Sequence, residues 1–166
     1  MGYSTPDLST GDATEPIEEA FRTYAAELWR ALFVYTGGRA EIADEATAEA
    51  FTRAIPQLGS IRHLRPWLYR VAFRVARTEL DREQHEFAEQ ADQAPDPPDV
   101  DELHHLLDAL TALPPKQRAA IVLHYRVDLP VREVAAILGV STPTAKVHLH
   151  RGRNRLRQLL GEDNDE

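Results

Sequence analysis

Apolar residues recur at helical spacing through most of the chain. Phe21, Tyr24, Leu28 and Leu32 fall three or four apart, as the inner stripe of an amphipathic helix does. Ile42, Ala46, Glu49, Ala50 and Ala54 share a second such spacing. Gly37 and Gly38 separate these two helices, and Pro56 with Gly59 close the second. A third helix is expected from near Pro66, turning Trp67, Leu68, Val71, Val75 and Leu80 inward. Further on, Leu103, Leu106, Leu107 and Leu110 mark a fourth helix that Pro114 must end. Pro115 suits the first turn of a fifth, where its missing N–H costs nothing, and that helix is expected to run to about Tyr125. It would bury Ala119, Ile121, Val122 and Tyr125 to varying degrees. Two more helices follow, separated by Gly139. No stretch alternates with the period of two that a half-buried strand needs. The chain therefore reads as all-α, with a three-helix bundle over 16–82 and a four-helix domain over 102–160.

The remaining segments differ in composition. Residues 1–15 are rich in Ser, Thr, Gly, Asp and Pro, with too little apolar surface to offset the entropy of ordering, and read as a disordered arm. Residues 83–101 are acidic and carry Pro95, Pro97 and Pro98, which disfavour helix; they read as an interdomain linker. Residues 161–166 form an acidic tail.

Charge changes the picture of what the domains bind. The net charge of −8 argues against nucleic acid, but its distribution reverses that. From Lys116 to Leu160 there are nine basic residues against two acidic ones, Asp128 and Glu133, a local balance of +7. Residues 21–82 hold ten basic against seven acidic, whereas residues 83–102 hold eight carboxylates and no base. The acid is segregated from two basic blocks. Such a linker would compete with DNA for the basic block beside it. With no cysteine, the chain has no disulfide, thiolate nucleophile or cysteine-ligated zinc. It shows no basic-then-apolar leader and no membrane-spanning run, so a cytoplasmic location is expected.

Residues 130–151, PVREVAAILGVSTPTAKVHLHR, follow helix-turn-helix logic. Val134, Ile137 and Leu138 give the first helix an apolar face, and Ala135 is small enough for close crossing. Gly139 stands where the turn needs positive φ. Val140 plugs the corner, Ser141 suits an N-cap, and Pro143 is tolerated in the first turn that follows. In such a motif the second helix enters the major groove with its N-terminal residues at the base edges. The candidate DNA contacts are Arg132, Ser141, Thr142, Pro143, Thr144, Lys146, Val147, His150 and Arg151. Ala145, Leu149 and Leu156 should face the core. Arg153, Arg155 and Arg157 continue the positive surface toward phosphates. The plainer reading is an amphipathic helix pair with a solvated basic face. The agreement of small residue, glycine, cap and charge favours DNA binding.

With those residues in view, the stretch LPPKQRAAIVLHYRVDLPVREVAAILGVSTPTAKVHLHRGRNRLRQLL closely resembles region four of extracytoplasmic-function sigma factors. Residues 17–82 resemble region two of the same family, notably DEATAEAF from Asp44 to Phe51 and WLYRVA from Trp67 to Ala72. The resemblance implies a factor that binds core RNA polymerase, recognises promoter DNA and initiates transcription. It implies polymerase docking through Asp44, Glu45, Glu49 and Phe51. It also implies reading of the minus-ten element by the loop LGSIRHL (58–64) and the following helix, through Arg62, His63, Arg70, Arg74 and Arg77. Residues 102–160 would read the minus-thirty-five element. An anti-sigma protein is a further partner of this kind. The chain departs from the family pattern at Ala48, Arg74, Thr78, Ala145, Val147 and His148.

Other classes fit less well. His104 and His105 point about 100° apart on a helix and cannot clamp one ion from one face. His148 and His150 diverge likewise, and no catalytic constellation is visible, so neither enzyme activity, cofactor, metal nor small-molecule substrate is expected. A helix-turn-helix regulator acting without polymerase is the alternative. Residues 17–82, however, show no alternation of strand and helix like that of a receiver domain.

Overall fold

The computed structural model describes residues 10–88 and 101–161, and every described element is helical. Three helices, α1 (Thr10–Tyr35), α2 (Ala40–Ala54) and α3 (Leu64–Ala88), form the N-terminal half, with a 3₁₀ turn at Ile55–Gln57. The C-terminal half comprises α4 (Glu102–Thr111), α5 (Pro115–Ile121), α6 (Val131–Leu138) and α7 (Thr142–Leu160). A π-helical turn at Val122–Arg126 prolongs α5.

The core of the first half explains its tight bundle. Ala43, Ala46, Ala50 and Ala54 on α2 are fully buried, and their small side chains let α1 and α3 close on either side. Leu28 and Leu32 from α1 meet Leu68, Tyr69, Ala72 and Phe73 from α3. Trp67, Val71, Val75 and Leu80 are only half-buried against this core. Glu27 ties α1 to α3, accepting from Tyr69 Oη at 2.6 Å and from Arg65 at 2.5 Å. Burial alone would raise the Glu27 pKa, but these donors outweigh it and hold the carboxyl below its ordinary value.

Several expectations are corrected. Helix α1 begins at Thr10, inside the segment read from the sequence as an arm. Phe21 lies outward, its ring edge-on to Phe51 at 5.0 Å. Helix α3 runs on to Ala88, past the boundary expected at 83. An ion pair of 2.6 Å from Arg39 to Glu83 anchors that extension, and Arg77–Asp81 and Arg82–Glu79 support it along the helix. Tyr125 is exposed, because the π turn carries it off the inner face of α5. Residues 1–9, 89–100 and 162–166, to which most of the arm, linker and tail belong, lie outside the described residues.

The halves meet through the C-terminal end of α1. Thr111 of α4 sits against Gly37, and Leu107 against Gly38. Arg118 is buried at 6% exposure. Its guanidinium donates to Thr111 O at 2.8 Å, to Leu113 O at 3.1 Å and, across the junction, to Tyr35 O at 3.4 Å. Its charge also lies over the Tyr35 ring, 5.3 Å from the centroid.

Candidate nucleic-acid interface

The α6–α7 unit is set by a few local choices. Gly139 ends α6 at φ 69°, ψ 34°, a left-handed conformation costly for a residue with Cβ. Its N–H and that of Val140 return to Ala136 and Ala135, closing the helix end. Ser141 is extended, and its Oγ accepts the Thr144 N–H at 3.3 Å, capping α7. Inward, Ala145, Leu149 and Gly152 are buried; at Gly152 an added Cβ would lie 2.9 Å from Ile121, so only glycine lets α7 approach α5 this closely.

The opposite face of α7 is open. Ser141, Pro143, Thr144, Lys146, Val147, His150 and Arg151 are exposed, Thr142 is half-covered, and Arg132 is exposed on α6. The capped first turn presents the free Thr142 amide and the hydroxyl residues together, with Lys146 and Arg151 flanking the apolar Val147. Such a surface can place donors and a methyl group at base edges while its cations meet phosphates. His148 turns toward α5. Burial lowers its pKa, assisted by the charges of Lys116 and Arg151. Asn154, within 3.2 Å of His150 Nε2, and Tyr125, whose Oη accepts from Arg153 at 3.0 Å, join this surface without having been read from the sequence. Asn154 could have been read from the polar face of α7, whereas Tyr125 lies 28 residues before Arg153 and no sequence spacing signals that pair.

A second basic surface lies on α3. Arg70, Arg74 and Arg77 are exposed and spaced four and three apart, so they form one stripe. Arg62 and His63, also exposed, join Arg70 and the half-buried Trp67 around a cleft of about 330 Å³ that Ala136 of α6 partly closes. The five candidate residues thus fall into one region, pressed against the helix-turn-helix: a Cβ on Gly139 would come within 3.9 Å of the Arg70 guanidinium.

The acidic candidates on α2 divide. Asp44 is exposed and accepts the Trp29 Nε1–H at 2.6 Å; Glu45 is exposed; Glu49 pairs with Arg53 at 2.7 Å. Glu45 and Glu49 line a cleft of about 310 Å³ with Arg53, Arg74 and Glu79. Phe51 is corrected: it is buried at 5% exposure, since it shares the inner face of α2 with Thr47 and Ala54, and supports the helix from within. Among the described residues, no group of three or more His, Asp or Glu is arranged to hold a metal ion, and no helix is long and apolar enough to cross a membrane.

Residues 103–156 match the family model described as Sigma-70, region 4. The chain is 32% identical over 160 residues to the RNA polymerase sigma factor CarQ of Myxococcus xanthus, covering 90% of this chain and 92% of that protein. It is 28% identical to the ECF RNA polymerase sigma factor SigW of Bacillus subtilis, covering 74% and 78%. Among solved structures, the sigma factor RpoE of Bartonella quintana, in complex with the anti-sigma factor NepR, superposes with a TM-score of 0.72 at 20% identity, over 90% of this chain and 99% of that one. CnrH, in complex with the cytosolic domain of CnrY, gives 0.69 at 23%, over 91% of each.

Proposed function

The chain belongs to the extracytoplasmic-function family of RNA polymerase sigma factors, and on that premise we propose how its two halves divide the work of initiation. Residues 16–82 hold core polymerase through the carboxylates Asp44, Glu45 and Glu49. The same half engages the minus-ten element through Arg62, His63, Arg70, Arg74 and Arg77. Residues 102–160 read the minus-thirty-five element with Thr142, Thr144, Lys146, Val147 and His150 at the bases, and Arg132 and Arg151 at phosphates. The protein works in the cytoplasm and performs no catalysis of its own. An anti-sigma protein is a further proposed partner, as RpoE has in NepR.

The observation that supports this division most is the capped, open first turn of α7, with its donors and cations outward over a closed apolar base. A regulator acting without polymerase would account for residues 102–160 only, whereas the likeness to CarQ spans both halves.

Run-off transcription tests it, with purified chain, core polymerase and a library of genomic fragments. Discrete new start sites are expected, and they should disappear in a Lys146→Ala, Arg151→Ala variant that still binds polymerase. Duplex binding without polymerase binding would overturn the assignment of residues 16–82.

A further inference from the structure

Where the halves meet, four cations converge. Arg70, Arg74 and Arg77 of α3 and Lys116 at the start of α5 line an open cleft of about 350 Å³, floored by apolar side chains that include Phe73 and Ile137. Among the described residues, no carboxylate lines this cleft. Of the groups around it, Asp81 engages Arg77 at 3.3 Å, and Glu45, Glu49 and Glu79 reach Arg74 only from the cleft on its far side. Arg70, Arg74 and Lys116 form no ion pair with any described carboxylate. Arg118 is buried just behind, adding a fifth positive charge that the carbonyls around it do not neutralise.

Like charges from two separate elements therefore face one another across a junction that is otherwise well packed. The packing of Thr111 and Leu107 holds them there at a Coulombic cost that an anion would reverse. The cleft has the volume of a small-molecule site and is too small for a partner helix. Arginine forks match phosphate oxygens in pairs, and several cations call for several anionic groups. The apolar floor suits the edge of a base or sugar.

We propose that this cleft binds a free nucleotide carrying three or more phosphates. Because both halves contribute residues, the ligand binds only when they are apposed, and by mass action it stabilises that arrangement. It thereby holds the α3 stripe against the helix-turn-helix and competes with promoter DNA for both.

Calorimetric titration of the full-length chain at low salt, without polymerase, tests this with ATP and with inorganic tripolyphosphate. One saturable site with a Kd of about 1 mM or tighter is expected. Arg70→Ala and Lys116→Ala, which lie on different halves, should each weaken it by about fivefold to tenfold, whereas Arg22→Ala on α1 should not. Tripolyphosphate binding more weakly than ATP would assign a role to the apolar floor. No saturation up to about 10 mM, or affinity indifferent to Arg70 and Lys116, overturns the proposal. So does tighter binding of a single-stranded oligonucleotide through the same residues, which would give the cleft to the promoter strand. The inference rests on the apposition of the halves and not on polymerase binding. A chain that supports run-off transcription yet ignores triphosphate refutes it alone.

Discussion

Gly37→Ala separates the two contributions that this residue makes. At φ 72° an alanine carries left-handed strain of about 1 kcal/mol, wherever the halves are. Its Cβ would also overlap the Thr111 Cγ2 of the other half, which costs about 1–3 kcal/mol if the junction stays closed. Thr111→Ser removes that methyl group and nothing else of consequence, since the hydroxyl keeps its bond to Asp108 O, now 2.8 Å. A double-mutant cycle by urea denaturation should therefore show Gly37→Ala costing about 2–4 kcal/mol alone and about 1 kcal/mol with Thr111→Ser. If the clash opens the junction in place of raising the energy in full, small-angle scattering should show a larger radius of gyration in Gly37→Ala that the second substitution restores. A coupling under about 0.3 kcal/mol with no change in size refutes the packing of α1 on α4.

Three further outcomes follow from local geometry. Gly152→Ala should destabilise by about 1–2 kcal/mol despite alanine's better helix propensity, because its Cβ meets Ile121 at 2.9 Å; in an Ile121→Ala background the same substitution should become neutral or favourable, and an unchanged cost there contradicts the contact. Ser141→Ala should cost about 1 kcal/mol and lower duplex affinity through fraying of the first turn of α7, with Ser141→Asp restoring stability in thermal melts. Glu27 titrates below its ordinary 4.5, so its stabilising contribution is present above about pH 4.5 and is lost as pH falls through the lowered folded value. Acid denaturation of Glu27→Gln should accordingly begin from lower stability and fall less steeply below that pH; an identical acid limb would show that Tyr69 and Arg65 do not act on this carboxyl.

The helix-turn-helix was legible residue by residue because each of its requirements is local. Positive φ at Gly139, the cap at Ser141 and small residues at Ala135 and Ala145 each leave a mark at one position. The errors arose where geometry departs from ideal periodicity. A π turn inserts an extra residue per turn, so Tyr125, four after Ile121 and inward on an α-helix, turns outward. Phe51 belongs to the same inner face as Thr47 and Ala54, a pattern the sequence displays but the family resemblance overrode. Tyr69 and Phe73 are core as well, because they extend the Ala72–Ala76 face of α3. Arg118, one of the nine basic residues in the local charge balance, spends its donors on carbonyls at the ends of α1 and α4. No periodicity specifies that two surfaces distant in sequence will meet, so the junction and its cleft were invisible.

That junction bears directly on how the chain works. On the proposed division of labour, the two promoter elements lie about 25 base pairs apart, or about 85 Å along B-form DNA at 3.4 Å per pair. In the structure the α3 arginine stripe and the turn of the helix-turn-helix are in contact, Arg70 lying beside Gly139. One body of this shape cannot occupy both elements at once. The chain from Ala88 to Asp101 can reach at most about 45 Å, and α3 and α7 add about 37 and 28 Å of rod. Separation of the halves makes the span attainable, whereas bending within either half does not. On that division of labour, promoter engagement must leave the closed arrangement. The energy of leaving it is set by the contacts of Arg118, Thr111 and Leu107, so substitutions there should alter promoter binding without touching a single DNA-facing residue.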